Sequence, residues 1–165
     1  MQEPICCFIG HHFIPEPDES WLMMSLDREI TYQIERGVRV FAAGGALGFD
    51  TMAALNILLR RMGTPGIRLQ LVLPYPEQAA RWREEEQLLY ERIKRAANEV
   101  EYVCPCYTTN CMLKRNRALV DRSAVCVAYL TRKGGGTAYT VDYCRTKDVP
   151  VRLLSPRIQK APGVI

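Results

Sequence analysis

Val38-Arg39-Val40-Phe41-Ala42-Ala43 runs directly into Gly44-Gly45-Ala46-Leu47-Gly48-Phe49-Asp50, and apolar residues then return with helical spacing through Met62. A β-rich run, a turn holding three glycines and an amphipathic stretch make one strand-to-helix unit. The unit recurs along the chain. Strands are predicted over Pro4 to Ile9, Val38 to Ala43, Arg68 to Leu73, Glu99 to Val103, Ala124 to Tyr129 and Val151 to Leu154. Between them, Trp21 to Arg36 aligns Leu22, Leu26, Ile30 and Ile34 on one stripe, and Trp82, Leu89, Ile93 and Ala96 do the same in a third helix. Further helices are expected over Phe49 to Met62, Met112 to Arg122 and Thr137 to Lys147, with Gly37 and Gly63 as stops. Alternation of this kind predicts an α/β fold, a Rossmann-like three-layer domain around a mostly parallel sheet.

Composition sets the outer bounds. A chain of 165 residues, 48% hydrophobic and 24% charged, suits one soluble domain, expected over residues 1–155. The stretch 156–165 carries Pro156, Pro162 and Gly163 without periodicity and is expected to be a loosely ordered tail. No run approaches the roughly 20 apolar residues of a membrane helix, and Met1-Gln2-Glu3-Pro4 lacks the basic start of a signal peptide. A cytoplasmic protein without membrane contact is expected. The seven cysteines are accordingly read as reduced thiols. A net charge of +4, evenly spread, argues against a nucleic-acid surface.

In an open parallel sheet, ligands bind beyond the carboxyl ends of the strands. Four loops there are unusual: Gly10-His11-His12 with Phe13 and a proline-containing stretch to Ser20, Gly44 to Asp50, Cys104 to Cys111, and Gly134-Gly135-Gly136-Thr137. Taken alone, Gly44 to Asp50 reads either as a tight turn capped by Asp50 or as a loop whose backbone approaches a phosphate. It departs from the GxGxxG spacing, and no acidic residue ends the strand after it, so ordinary NAD binding is disfavoured. A second glycine turn at Gly134 to Gly136 favours close backbone approach to a ligand, with Thr137 as cap or phosphate donor and Tyr139 available to stack on a base. Lys114-Arg115-Asn116-Arg117 puts cations in an early helical turn, which suits either a nearby anion or a solvated basic face. Cys104, Cys106 and Cys111 with His11 and His12 lack zinc-knuckle spacing, so no metal is assigned. Trp82 is read as a core contact.

Taken together, Phe8-Ile9-Gly10-His11, Gly44 to Asp50, Leu73-Pro74, Lys114 to Arg117 and Gly134 to Thr140 occur in an order that resembles YpsA-like proteins of the SLOG superfamily, over about Ile5 to Leu154. That superfamily includes the LOG phosphoribohydrolases and the DprA DNA-processing proteins. The resemblance implies binding or sensing of a nucleotide or nucleotide-derived, ADP-ribose-like ligand, with no other cofactor. The site residues it implies are Gly10, His11, Gly44, Gly45, Gly48, Asp50, Arg115, Asn116, Gly134, Gly135, Gly136 and Thr137. His12 departs from the family pattern, where arginine usually follows Gly-His. Two other activities come with the resemblance. LOG enzymes carry PGGxGTxxE, whose glutamate assists N-glycosidic cleavage, and Thr140 stands at that place here, leaving Asp50 as the candidate catalytic carboxylate. DprA-like binding of single-stranded DNA rests on Arg115-Asn116-Arg117 and Gly48-Phe49-Asp50, and a weakly charged chain makes it the less expected of the three. Finally, Met52, Leu55, Leu58, Leu59 and Met62 give the second helix more apolar surface than one sheet face needs, so a symmetric homodimer through helices is expected.

Overall fold

The apolar runs read above become the central strands because side chains alternate across a strand, and here both faces must be covered. In the computed structural model, which describes residues 2–156, the order is β1 (Ile5–Gly10), α1 (Glu16–Glu35), β2 (Val40–Ala43), α2 (Phe49–Arg61), β3 (Arg68–Leu73), α3 (Glu84–Ala96), β4 (Glu99–Tyr102), α4 (Cys111–Asp121), β5 (Val125–Tyr129), α5 (Gly135–Thr146) and β6 (Val151–Leu153). The strands form one six-stranded sheet in the order β4-β3-β2-β1-β5-β6. Every pairing is parallel, for example Cys6↔Phe41 on one side of β1 and Cys6↔Val125 on the other.

The alternation sorts the core into two layers. Cys6, Phe8, Phe41, Leu69, Leu71, Val127 and Tyr129 point to the face covered by α1, α2 and α3, where they meet Leu22, Leu26, Phe49, Ile57, Tyr90 and Ile93. Cys7, Ile9, Ala42, Val72, Cys126 and Ala128 point to the other face, against Leu119 and Val120 of α4 and Val141 and Cys144 of α5. Trp82 packs edge-on against Tyr90 at 5.2 Å, as a core contact should. The two edges are blunted, β6 by its length and β4 by Glu99 and Glu101.

Three helix starts differ from the expectation by two residues or more, and in one of them Trp82, expected on the third helix, lies before α3, which begins at Glu84. The first helix begins at Glu16 and not at Trp21, so most of the proline-containing loop is helical. Pro17 falls in the first turn, where a missing N–H costs nothing, and Glu16, Asp18 and Glu19 sit favourably at the positive end of the helix. The last helix begins at Gly135 and not at Thr137, so two of the three glycines form its first turn. Of the expected tail, residues 157–165 lie outside the described residues.

Candidate ligand-binding crevice

β1 lies between β2 and β5, and the chain leaves β1 toward one face while it enters β5 from the other. The loops after β1 and β5 therefore diverge, and a crevice opens between them at the switch point. It encloses about 310 Å³ and is lined by residues 9–13, Asp50, Met112, Leu113, Arg115, Asn116, Arg132, Gly134, Gly135, Gly136 and Thr137. Among the residues expected from sequence, Gly10, His11, Asp50, Arg115, Asn116, Gly134, Gly135, Gly136 and Thr137 meet here. Gly44, Gly45 and Gly48 do not line it.

The reason lies in what surrounds each glycine. A Cβ on Gly10 would sit 2.3–2.6 Å from the Phe49 side chain. One on Gly48 would sit 2.3 Å from the His12 carbonyl oxygen, and the Phe49 N–H donates to the His11 carbonyl at 3.1 Å. The loops after β1 and β2 are thus interlocked through their backbones, and α2 spends its first donor on protein. A Cβ on Gly45, whose φ is +71°, would meet Leu73 at 2.3 Å. A Cβ on Gly44 would meet Arg115 at 2.8 Å and Asp50 at 2.9 Å. These glycines are demanded by packing.

The loop after β5 is different. Gly134 and Gly135 have φ of +79° and +83°, and neither they nor Gly136 has anything within 4 Å of where a Cβ would stand. α5 has no side-chain cap. Its first residues line the crevice beside Arg132, a lining cation that the motif reading missed although Thr131-Arg132-Lys133 immediately precedes the glycines. His11 fixes this loop to β1: its Nε2 accepts the Thr131 N–H at 3.0 Å, which leaves the ring proton on Nδ1. Burial, and then the charge of Arg132, hold His11 below the usual histidine pKa, so the neutral ring is favoured. Behind it, Tyr129 donates to Asp18 at 2.7 Å, and burial together with that bond pushes the phenol up to about 12.

The floor holds a buried acid and a buried base. Arg115 is only 2% exposed, with Nη1 donating to the Gly44 carbonyl and Nε donating to Asn116 Oδ1 at 2.7 Å. Its Nη2 has a thioether, Met112 Sδ at 3.9 Å, as acceptor. Asn116 in turn donates to the Thr140 hydroxyl at 3.0 Å, and Thr140 donates to the Gly136 carbonyl at 2.7 Å. Thr140, at the place of the LOG glutamate, is therefore buried in a strut between α4 and α5 and is absent from the crevice lining. Asp50 is 6% exposed and accepts the Ala46 N–H through Oδ2 at 3.1 Å. Burial raises its pKa against the pull of Arg115 and the Ala46 N–H.

A larger cavity of about 560 Å³ lies at the sheet edge between α1 and β6, but its part-buried ion pair, Arg152 with Glu29 at 2.8 Å, is already satisfied. Among the described residues, no group of three or more His, Cys, Asp or Glu side chains converges on a metal-sized space, and all seven cysteines are thiols. Among the described residues, no helix is long and apolar enough to cross a membrane.

Comparison with known proteins agrees with this architecture. The model of the YspA SLOG family matches residues 15–154. The UPF0398 protein BH1768 of Halalkalibacterium halodurans is 26% identical over 144 residues, covering 83% of this chain and 76% of that protein. Among solved structures, DNA processing protein A from Helicobacter pylori, described for its single-stranded DNA binding mode, superposes with a TM-score of 0.64 at 18% identity, covering 97% of this chain and 69% of that one. The corresponding protein from Streptococcus pneumoniae gives 0.67 at 15% identity over 92% of this chain, which spans 50% of its length. At these identities the structural likeness speaks for the fold.

Proposed function

The chain belongs to the YspA SLOG family, and from that premise we propose that it binds a phosphate-bearing, nucleotide-derived ligand in the crevice between β1 and β5. The observation that carries this reading is the open glycine turn at the start of α5. That uncapped turn lines a crevice whose lining also includes Arg132 and the buried Arg115. At about 310 Å³ the space is at the small end of ligand sites, which run from about 300 to 1,000 Å³, and suits one nucleotide unit. Native mass spectrometry of the purified protein should reveal a retained nucleotide-like molecule, and millimolar nucleoside monophosphates should raise the melting temperature by mass action. A bare protein whose melting is indifferent to a broad nucleotide panel contradicts the reading.

The crevice is proposed to bind and not to cleave. Asp50 is the carboxylate that reaches it, and a LOG-like acid at position 140 is replaced by a buried hydroxyl. Nucleoside monophosphates should be recovered intact after incubation, and release of free base that Asp50→Asn abolishes would reassign the protein as an N-glycosidase.

A second reading, single-stranded DNA binding, is favoured by Phe13, which is 74% exposed at the crevice, with the exposed Arg132 and Lys133 close by. Labelled oligonucleotide should show no binding even at about 50 mM salt, whereas binding there that weakens toward about 200 mM and is displaced by nucleotide would favour this second reading. The working assembly is proposed to be a cytoplasmic homodimer paired through α2. Leu59 on that helix and Met62 at its C-terminal cap are 69% and 85% exposed and continue the stripe begun by Leu55. Light scattering at micromolar protein should report twice the monomer mass, and a monomer there would remove the dimer.

A further inference from the structure

The crevice makes two opposite demands on one ligand. The start of α5, with Arg132 beside it, asks for an anion. Asp50, nine-tenths buried in the same crevice, asks for hydrogen-bond donors and repels an anion. Its Oδ2 is held by the Ala46 N–H at 3.1 Å, which leaves Oδ1 as the oxygen that can accept from a molecule in the crevice. A carboxylate oxygen that lines a crevice is an acceptor for hydroxyl donors on whatever fills it.

A ligand answers both demands if it carries a phosphate at one end and hydroxyl donors a few bonds away. We infer that Asp50 accepts the vicinal hydroxyls of a ribose whose phosphate lies at the start of α5, so that the crevice selects a ribonucleoside monophosphate or other ribose phosphate over its 2′-deoxy counterpart. This assignment rests on the phosphate-binding reading above and narrows it. It also separates that reading from DNA binding, since a deoxyribose strand brings no 2′-hydroxyl to Asp50 and sets an additional phosphate near it. Sites built around a hydrogen bond to a hydroxyl discriminate strongly against the analogue that lacks it, because the buried partner is left unpaired.

The test is a direct titration of the full chain with adenosine 5′-monophosphate and with 2′-deoxyadenosine 5′-monophosphate. The wild type should prefer the ribonucleotide at least tenfold. In Asp50→Asn, which keeps an oxygen to receive the Ala46 N–H and is checked for folding by its melting curve, the preference should collapse to within about twofold. Equal affinity of the wild type for the two nucleotides overturns the assignment while leaving the phosphate reading intact. If neither nucleotide nor ribose 5-phosphate binds, the reading and the assignment fall together. A preference that survives unchanged in Asp50→Asn overturns the role of Asp50, because the selectivity then resides in another residue.

Discussion

Gly48 and Gly134 share a left-handed φ, +77° and +79°, yet one faces protein and the other faces open space. Sequence spacing cannot tell them apart, because what distinguishes them is the backbone of His12, brought over Gly48 by the fold. Substitution separates them. Gly134→Ala should cost only the backbone strain, about 1–3 kcal/mol, whereas Gly48→Ala adds a collision that neither loop can relieve, for a total of about 2–5 kcal/mol. Urea unfolding of the two variants checks the order, and equal losses would contradict the interlocked loops. His11 gives a second test at this scale. Its pKa is lowered by burial, so the folded protein favours the neutral ring while the unfolded chain protonates near the ordinary value of about 6.5. Its contribution to stability is therefore complete above that pH and is lost as pH falls from it toward the folded value. Between about pH 7 and pH 5 the melting temperature of the wild type should drop more steeply than that of His11→Asn. Parallel curves would mean that the bond from Thr131 does not hold the ring neutral.

At the scale of elements, α5 shows what was legible and what was not. A helix from about Thr137 to Lys147 behind a glycine turn could be read from the chain. The strut that holds it could not, since Asn116 and Thr140 belong to different helices and only the packing of α4 on α5 places their side chains together. From sequence, Thr140 was simply the place of a missing glutamate. In the fold it ties Asn116, and through it Arg115, to the Gly136 carbonyl. Thr140→Val keeps the shape but removes both bonds. It should destabilise the protein by about 1–2 kcal/mol and weaken nucleotide binding by loosening the first turn of α5. Unchanged stability in a chemical melt would show that the strut carries nothing. The early start of α1 escaped the sequence reading for a simpler reason, because prolines read as breakers are harmless in a first turn.

For the whole molecule, the alternation of apolar runs and amphipathic stretches was sufficient to read an α/β sheet, because strand and helix periods are local properties. Strand order is not local. The return from β4 at one edge to β5 beside β1 creates the switch point, and that step places Gly134 to Thr137 opposite Gly10 and His11. It also decides which glycine loop is left open, and so moves the expected phosphate position from two loops to one. The central claim is that the phosphate sits on the first turn of α5, and Gly136→Asp addresses it most directly. Gly136 has open space around it and no left-handed φ, and a carboxylate at a helix start is favourable to the helix, so the variant should fold. Calorimetric titration with adenosine 5′-monophosphate should find binding to the wild type and a loss of at least tenfold, about 1.4 kcal/mol, in Gly136→Asp at unchanged or higher melting temperature. Equal affinity of the two proteins would contradict the account.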